Sequence, residues 1–167
     1  LQLLLGRPTF GETAVISQDP IVAEMAAQFG VRWAAEPVGS GLNGAVSSGA
    51  SLAAANQASH LLILPSDLPF LERIELERLI GQARASNGQP SLFLCGDEQQ
   101  QCTNAMILPT GLGFQFRYGR NSFNLHQQEA SRLGLACQIM QLPSLQFDLD
   151  TEQDYDLYTK KYAPTLF

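Results

Sequence analysis

Short apolar runs alternate with helical stretches along this chain, a pattern that predicts βα units and a largely parallel sheet. Residues 13–17 (TAVIS) read as a buried strand. Asp19 and Pro20 then supply an N-cap and a first-turn proline for a helix through Phe29, which Gly30 stops. A second strand covers 31–35, and a glycine-rich loop over 39–44 leads into a small-residue helix through about Asn56. Residues 60–64 are apolar enough for a central strand. A helix over 72–85 carries Ile74, Leu76, Leu79, Ile80 and Ala83 on its apolar positions and ends before Asn87 and Gly88. Strands are expected at 91–95 and 104–108, a helix at 122–133, a strand at 136–142 and a short final strand at 146–148. Thr151 and Asp154 have the spacing of a capping box that opens the last helix. No repeat, low-complexity tract or linker interrupts residues 1–167, which read as a single domain. A doubly wound sheet normally opens with a strand, a loop and a helix. Residues 1–7 read instead as the tail of a helix or a loop, so a βα unit is expected upstream.

Composition narrows the function classes. A hydrophobic fraction of 45% and a charged fraction of 16% fit a soluble globule. The net charge is −6, without a basic run, which argues against nucleic-acid binding, where phosphate neutralisation supplies much of the affinity. Lys160 and Lys161 are the only lysines. Phosphate chemistry in the body of the chain must therefore use arginine, backbone N–H groups and metal. Cys95, Cys102 and Cys137 form no C-x-x-C pair, and with His60 and His126 as the only histidines a structural zinc site is not expected. Reduced thiols and the absence of a membrane-length apolar stretch point to the cytoplasm. Trp33 and most phenylalanines are expected in the core, and both histidines read as structural.

Four segments carry candidate chemistry. Asp67 follows the strand over 60–64 directly, between Pro65 and Pro69, where a carboxylate at a strand's carboxyl end suits a hard cation such as Mg²⁺, though it also suits a turn. Asp148 and Asp150 share one face if their segment is extended, and so close a pair repels unless a cation intervenes. The alternative is a loop pair, with Asp150 serving the Thr151 turn. Gly39, Gly41 and Gly44 precede a helix and allow a ligand near the backbone, but they make neither a P-loop nor a dinucleotide fingerprint. Within that loop Asn43 is either a base contact or an N-cap. Arg120 and Ser122 lie at another helix start, suited to a phosphate or carboxylate, or to plain capping by Asn121 or Ser122.

Five motifs stand in order: GLNGA at 41–45, LPSDLP at 64–69, TNA at 103–105, GRNSF at 119–123 and DLDTEQD at 148–154. Together they resemble the guanylyltransferases of coenzyme F-420 biosynthesis, which join GMP from GTP to 2-phospholactate, phosphoenolpyruvate or 3-phosphoglycerate. The resemblance runs from about Thr13 to Tyr158. It implies a Rossmann-like, three-layer α/β/α fold of the nucleotide-diphospho-sugar-transferase type, with a mostly parallel mixed sheet. It also implies that Asp67, Asp148 and Asp150 ligate Mg²⁺ and serve catalysis. By the same resemblance Leu42, Asn43, Pro65 and Ser66 belong to the nucleotide site, and Thr103, Gly119 and Ser122 contact the phospho-acid. GTP and a small phospho-acid are then the partners, with neither nucleic acid nor membrane, and a homodimer is compatible. The family's basic triphosphate loop has no counterpart in these residues and is expected upstream of Leu1. Rival readings are a molybdopterin- or sugar-nucleotide-forming transferase of the same fold, or a non-catalytic nucleotide-binding remnant.

Overall fold

The computed structural model describes residues 11–162 apart from residue 87, so the reading of residues 1–7 lies outside the described part. The chain is α/β and divides into two compact units, one of residues 1–61 and 109–118, the other of 62–108 and 119–167.

In the first unit, β1 (Ala14–Ile16) pairs in parallel with β2 (Arg32–Ala34) across α1 (Pro20–Gln28). The local signals work as the sequence predicts. Asp19 Oδ1 accepts from the Ile21 N–H at 2.8 Å, with Pro20 in the first turn. Past the helix, Gly30 takes a φ of +64° that a side chain would resist. Glu12 fastens the pair from outside, one carboxylate oxygen on Arg32 at 3.1 Å and the other on Asn56 at 2.8 Å. Trp33 is 40% exposed rather than core, because its indole N–H reaches the surface carbonyl of Ser17.

Helix α2 (Gly41–Ala55) begins earlier than the sequence suggests. Residues 41–44 form its first turn instead of a loop, and Ser40, not Asn43, holds the N-cap position. Gly44 has to lack a side chain, since a Cβ there would lie 2.1 Å from the Ser40 Cβ.

The second sheet runs in the order β3-β5-β4-β6, with β3 (His60–Ile63), β4 (Ser91–Gly96), β5 (Thr103–Pro109) and β6 (Ala136–Ile139). β4 is parallel to β6 and antiparallel to β5, so the sheet is mixed, as the resemblance implies. The continuous apolar runs of β4 and β5 are buried along nearly their whole length. Helix α3 (Arg73–Arg84) buries Leu76, Leu79, Ile80 and Ala83. Leu79, Leu92 and Leu94 are fully buried, each contributing roughly 1.5–3 kcal/mol. Ile74 is 71% exposed, because two helical residues from Leu76 is about 200° around the axis, off the buried stripe.

The chain then enters α4 (Ser122–Arg132) and β6, which ends at Ile139 rather than 142. The expected strand at 146–148 is absent. A 3₁₀ turn at Pro143–Leu145 comes first, because Pro143 removes a ladder donor and Leu145 folds back onto the Leu142 carbonyl at 2.9 Å. The capping box opens α5 (Glu152–Tyr162) as read: Thr151 N–H donates to Asp154 at 2.8 Å and Asp154 N–H to Thr151 Oγ1 at 3.2 Å. No helix among the described residues is long and apolar enough to cross a membrane.

Gly96 ends β4 where a Cβ would lie 2.7 Å from the Phe123 ring and 2.9 Å from the Cys102 carbonyl oxygen. Gly96→Ala should therefore cost about 1–3 kcal/mol by overpacking. In a thermal melt that is a drop in Tm of roughly 3–10 °C, and an unchanged Tm would show that this junction is not tight.

Candidate active site

The second unit gathers the carboxylates. Asp67 lies in the loop between β3 and α3, and Asp148 and Asp150 flank Leu149 in the segment before α5. The two segments are joined by one backbone bond, Leu149 N–H to the Asp67 carbonyl at 3.0 Å. The start of the second segment is clasped to α3: Ser144 N–H donates to Glu75 at 2.6 Å, and Glu72 N–H donates to Ser144 Oγ at 3.1 Å. Asp148 and Asp150 are thus brought beside Asp67 by these bonds rather than by the period of a strand.

The electrostatics follow from that proximity. Burial raises the Asp148 carboxyl above its ordinary range, and the negative charges of Asp150, Asp67 and Asp97 raise it further. Asp67 Oδ1 is buried and has no hydrogen-bond partner. A buried acceptor left open among carboxylates fits a hard cation. Among the described residues no three His, Cys, Asp or Glu side chains already converge as a cage for one. Mg²⁺ does not need such a cage, because it commonly takes one or two carboxylates and completes its shell with phosphates and water.

Thr103, Ser122 and Gly119 are also brought together. Residues 101–103, entering β5, pin the start of α4 at three points: Phe123 N–H on the Gln101 carbonyl at 3.2 Å, Thr103 N–H on Ser122 Oγ at 2.9 Å, and Thr103 Oγ1 against His126 Nδ1 at 2.9 Å. Ser122 N–H closes the turn on the Gly119 carbonyl at 3.0 Å. Gly119 holds a φ of +114° and Asn121 one of +62°, so the loop exposes Gly119 and Arg120 while Thr103 and Ser122 are buried beneath it. Asn121 stands at the N-cap without a side-chain bond. The helix start is held by Ser122 and its partners instead.

Cys102 links the two groups. Its sulfur lies 4.0 Å from the Gly119 carbonyl, and its thiol is raised by burial and by Asp97, Asp148 and Asp150. Asp97 was not singled out from the sequence. Its Oδ1 accepts from the N–H groups of Gln101 and Cys102 at 2.6 and 2.9 Å, shaping the turn that presents Thr103. An aspartate closely followed by a turn is a common local pattern, so only the fold reveals its charge beside Asp148.

The proposed nucleotide residues fall in both units. In the first, Leu42 is exposed, while Asn43 spends its carboxamide on Tyr118: Tyr118 N–H donates to Oδ1 at 2.6 Å and Nδ2 donates to the Tyr118 carbonyl at 3.2 Å. In the second, Pro65 is half-buried and Ser66 exposed. His126, read as structural, is fully buried and partnered by Thr103, whereas His60 is exposed beside Ser59. All three cysteines are free, Cys95 buried and its thiol pushed up by burial to about 11.

Comparison with known proteins finds relatives of both the sequence and the fold. The family described as guanylyl transferase, CofC like, matches residues 9–158. The phosphoenolpyruvate guanylyltransferase of Rubrobacter xylanophilus is 34% identical over 140 residues, 84% of this chain and 66% of that protein. The 3-phospho-D-glycerate guanylyltransferase of Colwellia psychrerythraea is 30% identical over 150 residues, 90% of this chain and 69% of that protein. The chain thus spans about two thirds of the length of these relatives. Among solved structures, CMP:2-keto-3-deoxy-manno-octonic acid synthetase complexed with CTP superposes with a TM-score of 0.65 at 12% identity, covering 97% of this chain and 85% of the other. A protein described as a nucleotide-diphospho-sugar transferase, from Desulfovibrio desulfuricans G20, gives 0.66 at 10% identity, covering 93% and 68%. At these identities the structural likeness shows the fold, which is that of the nucleotide-diphospho-sugar transferases.

His126 gives a pH signature. Burial lowers its pKa to about 4, partly offset by the nearby charge of Glu129. The folded state therefore binds fewer protons than the unfolded state, whose histidine titrates near the ordinary 6.5. Stability from this residue is complete above about pH 6.5 and is lost as pH falls toward 4. Chemical unfolding across that window should show His126→Asn losing less stability on acidification than the parent, and parallel curves would contradict the assignment.

Proposed function

The chain belongs to the CofC-like guanylyl transferase family, and from that premise we propose that it transfers GMP from GTP to a small phospho-acid, releasing pyrophosphate, as a step of coenzyme F-420 biosynthesis. The observation that carries the reading is the buried, unpartnered Oδ1 of Asp67, held beside the Asp148–Asp150 segment by the bond from Leu149 N–H to the Asp67 carbonyl. These carboxylates and the loop over 119–122 belong to the same compact unit.

The reaction asks little of a general base. An oxygen of the acceptor phosphate, already anionic near pH 7, attacks the α-phosphorus of GTP; that P–O bond forms as the bond to the leaving pyrophosphate breaks. Catalysis then rests on positioning and on offsetting charge. Asp67, with its open buried oxygen, and Asp148 would hold Mg²⁺, with Asp150 beside them. Bound there, the ion would neutralise phosphate charge in the transition state. The exposed Gly119 and Arg120 would offer backbone and positive charge to the phospho-acid, with the Thr103 and Ser122 hydroxyls buried beneath. Leu42, Asn43, Pro65 and Ser66 are assigned to the nucleotide. Asn43 acts there through the Tyr118 peptide it grips, not as a free base reader.

The activity test is pyrophosphate release from GTP and Mg²⁺ by the full-length protein with phosphoenolpyruvate, 2-phospholactate and 3-phosphoglycerate in turn. One acceptor should support turnover; none doing so with folded protein would reject the proposal. Asp67→Asn and Asp148→Asn should each lower kcat by about 10²-fold or more. The metal assignment has a second readout. At neutral pH Mg²⁺ should raise the parent's Tm by on the order of 2 °C. Asp148→Asn should raise the metal-free Tm and abolish the Mg²⁺ response, because Asp148 is the carboxylate crowded by its neighbours. A variant that still responds to Mg²⁺ like the parent would remove Asp148 from the metal site.

A further inference from the structure

Aromatic rings flank both carboxylate segments, and they touch. Phe70 follows Asp67 by three residues, and Phe147 immediately precedes Asp148. Their ring centroids are 4.9 Å apart with the planes at 32°. Tyr158, on α5, stacks on Phe70 as well, at 5.7 Å and 27°, and Tyr155 lies 6.5 Å from Tyr158. Phe70, Phe147 and Tyr158 are each half-buried. Ring pairs at these spacings favour particular relative orientations, so they hold direction as well as area.

The stack closes a circuit around the carboxylates. From Phe147 the chain runs through Asp148, Leu149 and Asp150 to Thr151, whose capping box opens α5. Helix α5 returns Tyr158 to Phe70, and Phe70 leads back through Pro69 and Leu68 to Asp67. Inside the circuit stands the bond from Leu149 N–H to the Asp67 carbonyl at 3.0 Å. A single hydrogen bond leaves the two segments able to pivot about it. Two ring contacts on Phe70 resist that pivot. Repulsion supplies the force to be resisted, since Asp148 lies within electrostatic reach of both Asp67 and Asp150.

We propose that Phe70 and Tyr158 are positioning residues for the carboxylates: stacked on each other, with Phe70 also against Phe147, they hold the Asp148–Asp150 segment beside Asp67 in the arrangement that accepts a divalent cation. The inference rests on the assignment of Asp67 and Asp148 to Mg²⁺. The two rings act through the segments they hold and contact no reacting atom. Coupling of this kind is reciprocal. A cation that relieves the repulsion must also tighten the docking of α5, because the same contacts resist both.

The test reads the backbone rather than turnover. Amide hydrogen exchange is followed over 146–151 and over α5, residues 152–162, in the full-length protein as MgCl₂ is added. In the parent, Mg²⁺ should slow exchange in both stretches, by about threefold or more in α5. Tyr158→Phe keeps the ring and should respond at the parent's Mg²⁺ concentration. Tyr158→Leu and Phe70→Leu, which remove one ring from either side of the stack, should each need about three- to tenfold more Mg²⁺ for half the effect over 146–151. A lower metal-free Tm with an unchanged Mg²⁺ midpoint in both Leu variants would reduce the stack to packing and overturn the proposal. Exchange in the parent's α5 that ignores Mg²⁺ while 146–151 responds would overturn it too, and either result leaves the metal site standing. No response in either stretch of the parent, with Asp67→Asn behaving identically, rejects the metal assignment and this proposal with it.

Discussion

The second unit depends on placing like charges together. Asp67 and the Asp148–Asp150 segment come from distant parts of the chain, and the bond from Leu149 N–H to the Asp67 carbonyl holds them side by side. Backbone groups make that bond, so it fixes the segments without using a carboxylate oxygen. Asp67 Oδ1 is left without a partner, and the carboxylates repel one another, which burial makes worse for Asp148. The proposed Mg²⁺ would relieve that repulsion while binding together with phosphates. The clasp of Ser144 by Glu75 and the Glu72 N–H resists the repulsion by anchoring the segment to α3.

The side of the unit proposed to meet the phospho-acid is built on the opposite principle. Donors are assembled there, and the structure spends acceptors to orient them. The turn after β4 is shaped by Asp97, which caps two N–H groups, and by Gly96, which leaves room for the Phe123 ring. These bring residues 101–103 against the first turn of α4, where three contacts lock strand to helix. Gly119 and Asn121, both at positive φ, then reverse the chain so that backbone and Arg120 face outward. Thr103 and Ser122 lie under this loop, so their influence is exerted from within a rigid frame. Cys102 sits between the donors and the carboxylates, and a thiol raised by burial and three negative charges is a poor nucleophile, consistent with transfer that needs no covalent intermediate.

Much of this was legible in the residues alone, because the relevant signals are local. Asp19 with Pro20, and Thr151 with Asp154, each act within one helical turn, and the structure uses both as read. The apolar runs of β4 and β5 needed only their hydrophobicity to be placed in a core. The identities of Asp67, Asp148 and Asp150, and of the motif around Gly119, were also fixed in sequence, together with the family they resemble.

Other features were decided only in three dimensions, where a polar group chooses among partners far away in the chain. Asn43 could have capped a helix or faced a base; the Tyr118 peptide, 75 residues on, took its carboxamide. The segment before Asp148 looked extended by composition, but Pro143 and the clasp to α3 turned it into a 3₁₀ turn and loop. His126 seemed solitary because Thr103 is 23 positions earlier. The sequence by itself determined which carboxylates are candidates for a metal site. Tertiary structure alone decided that the Asp67 loop and the Asp148–Asp150 segment are neighbours, since only folding joins segments distant in the chain and sets the burial that gives their charges force.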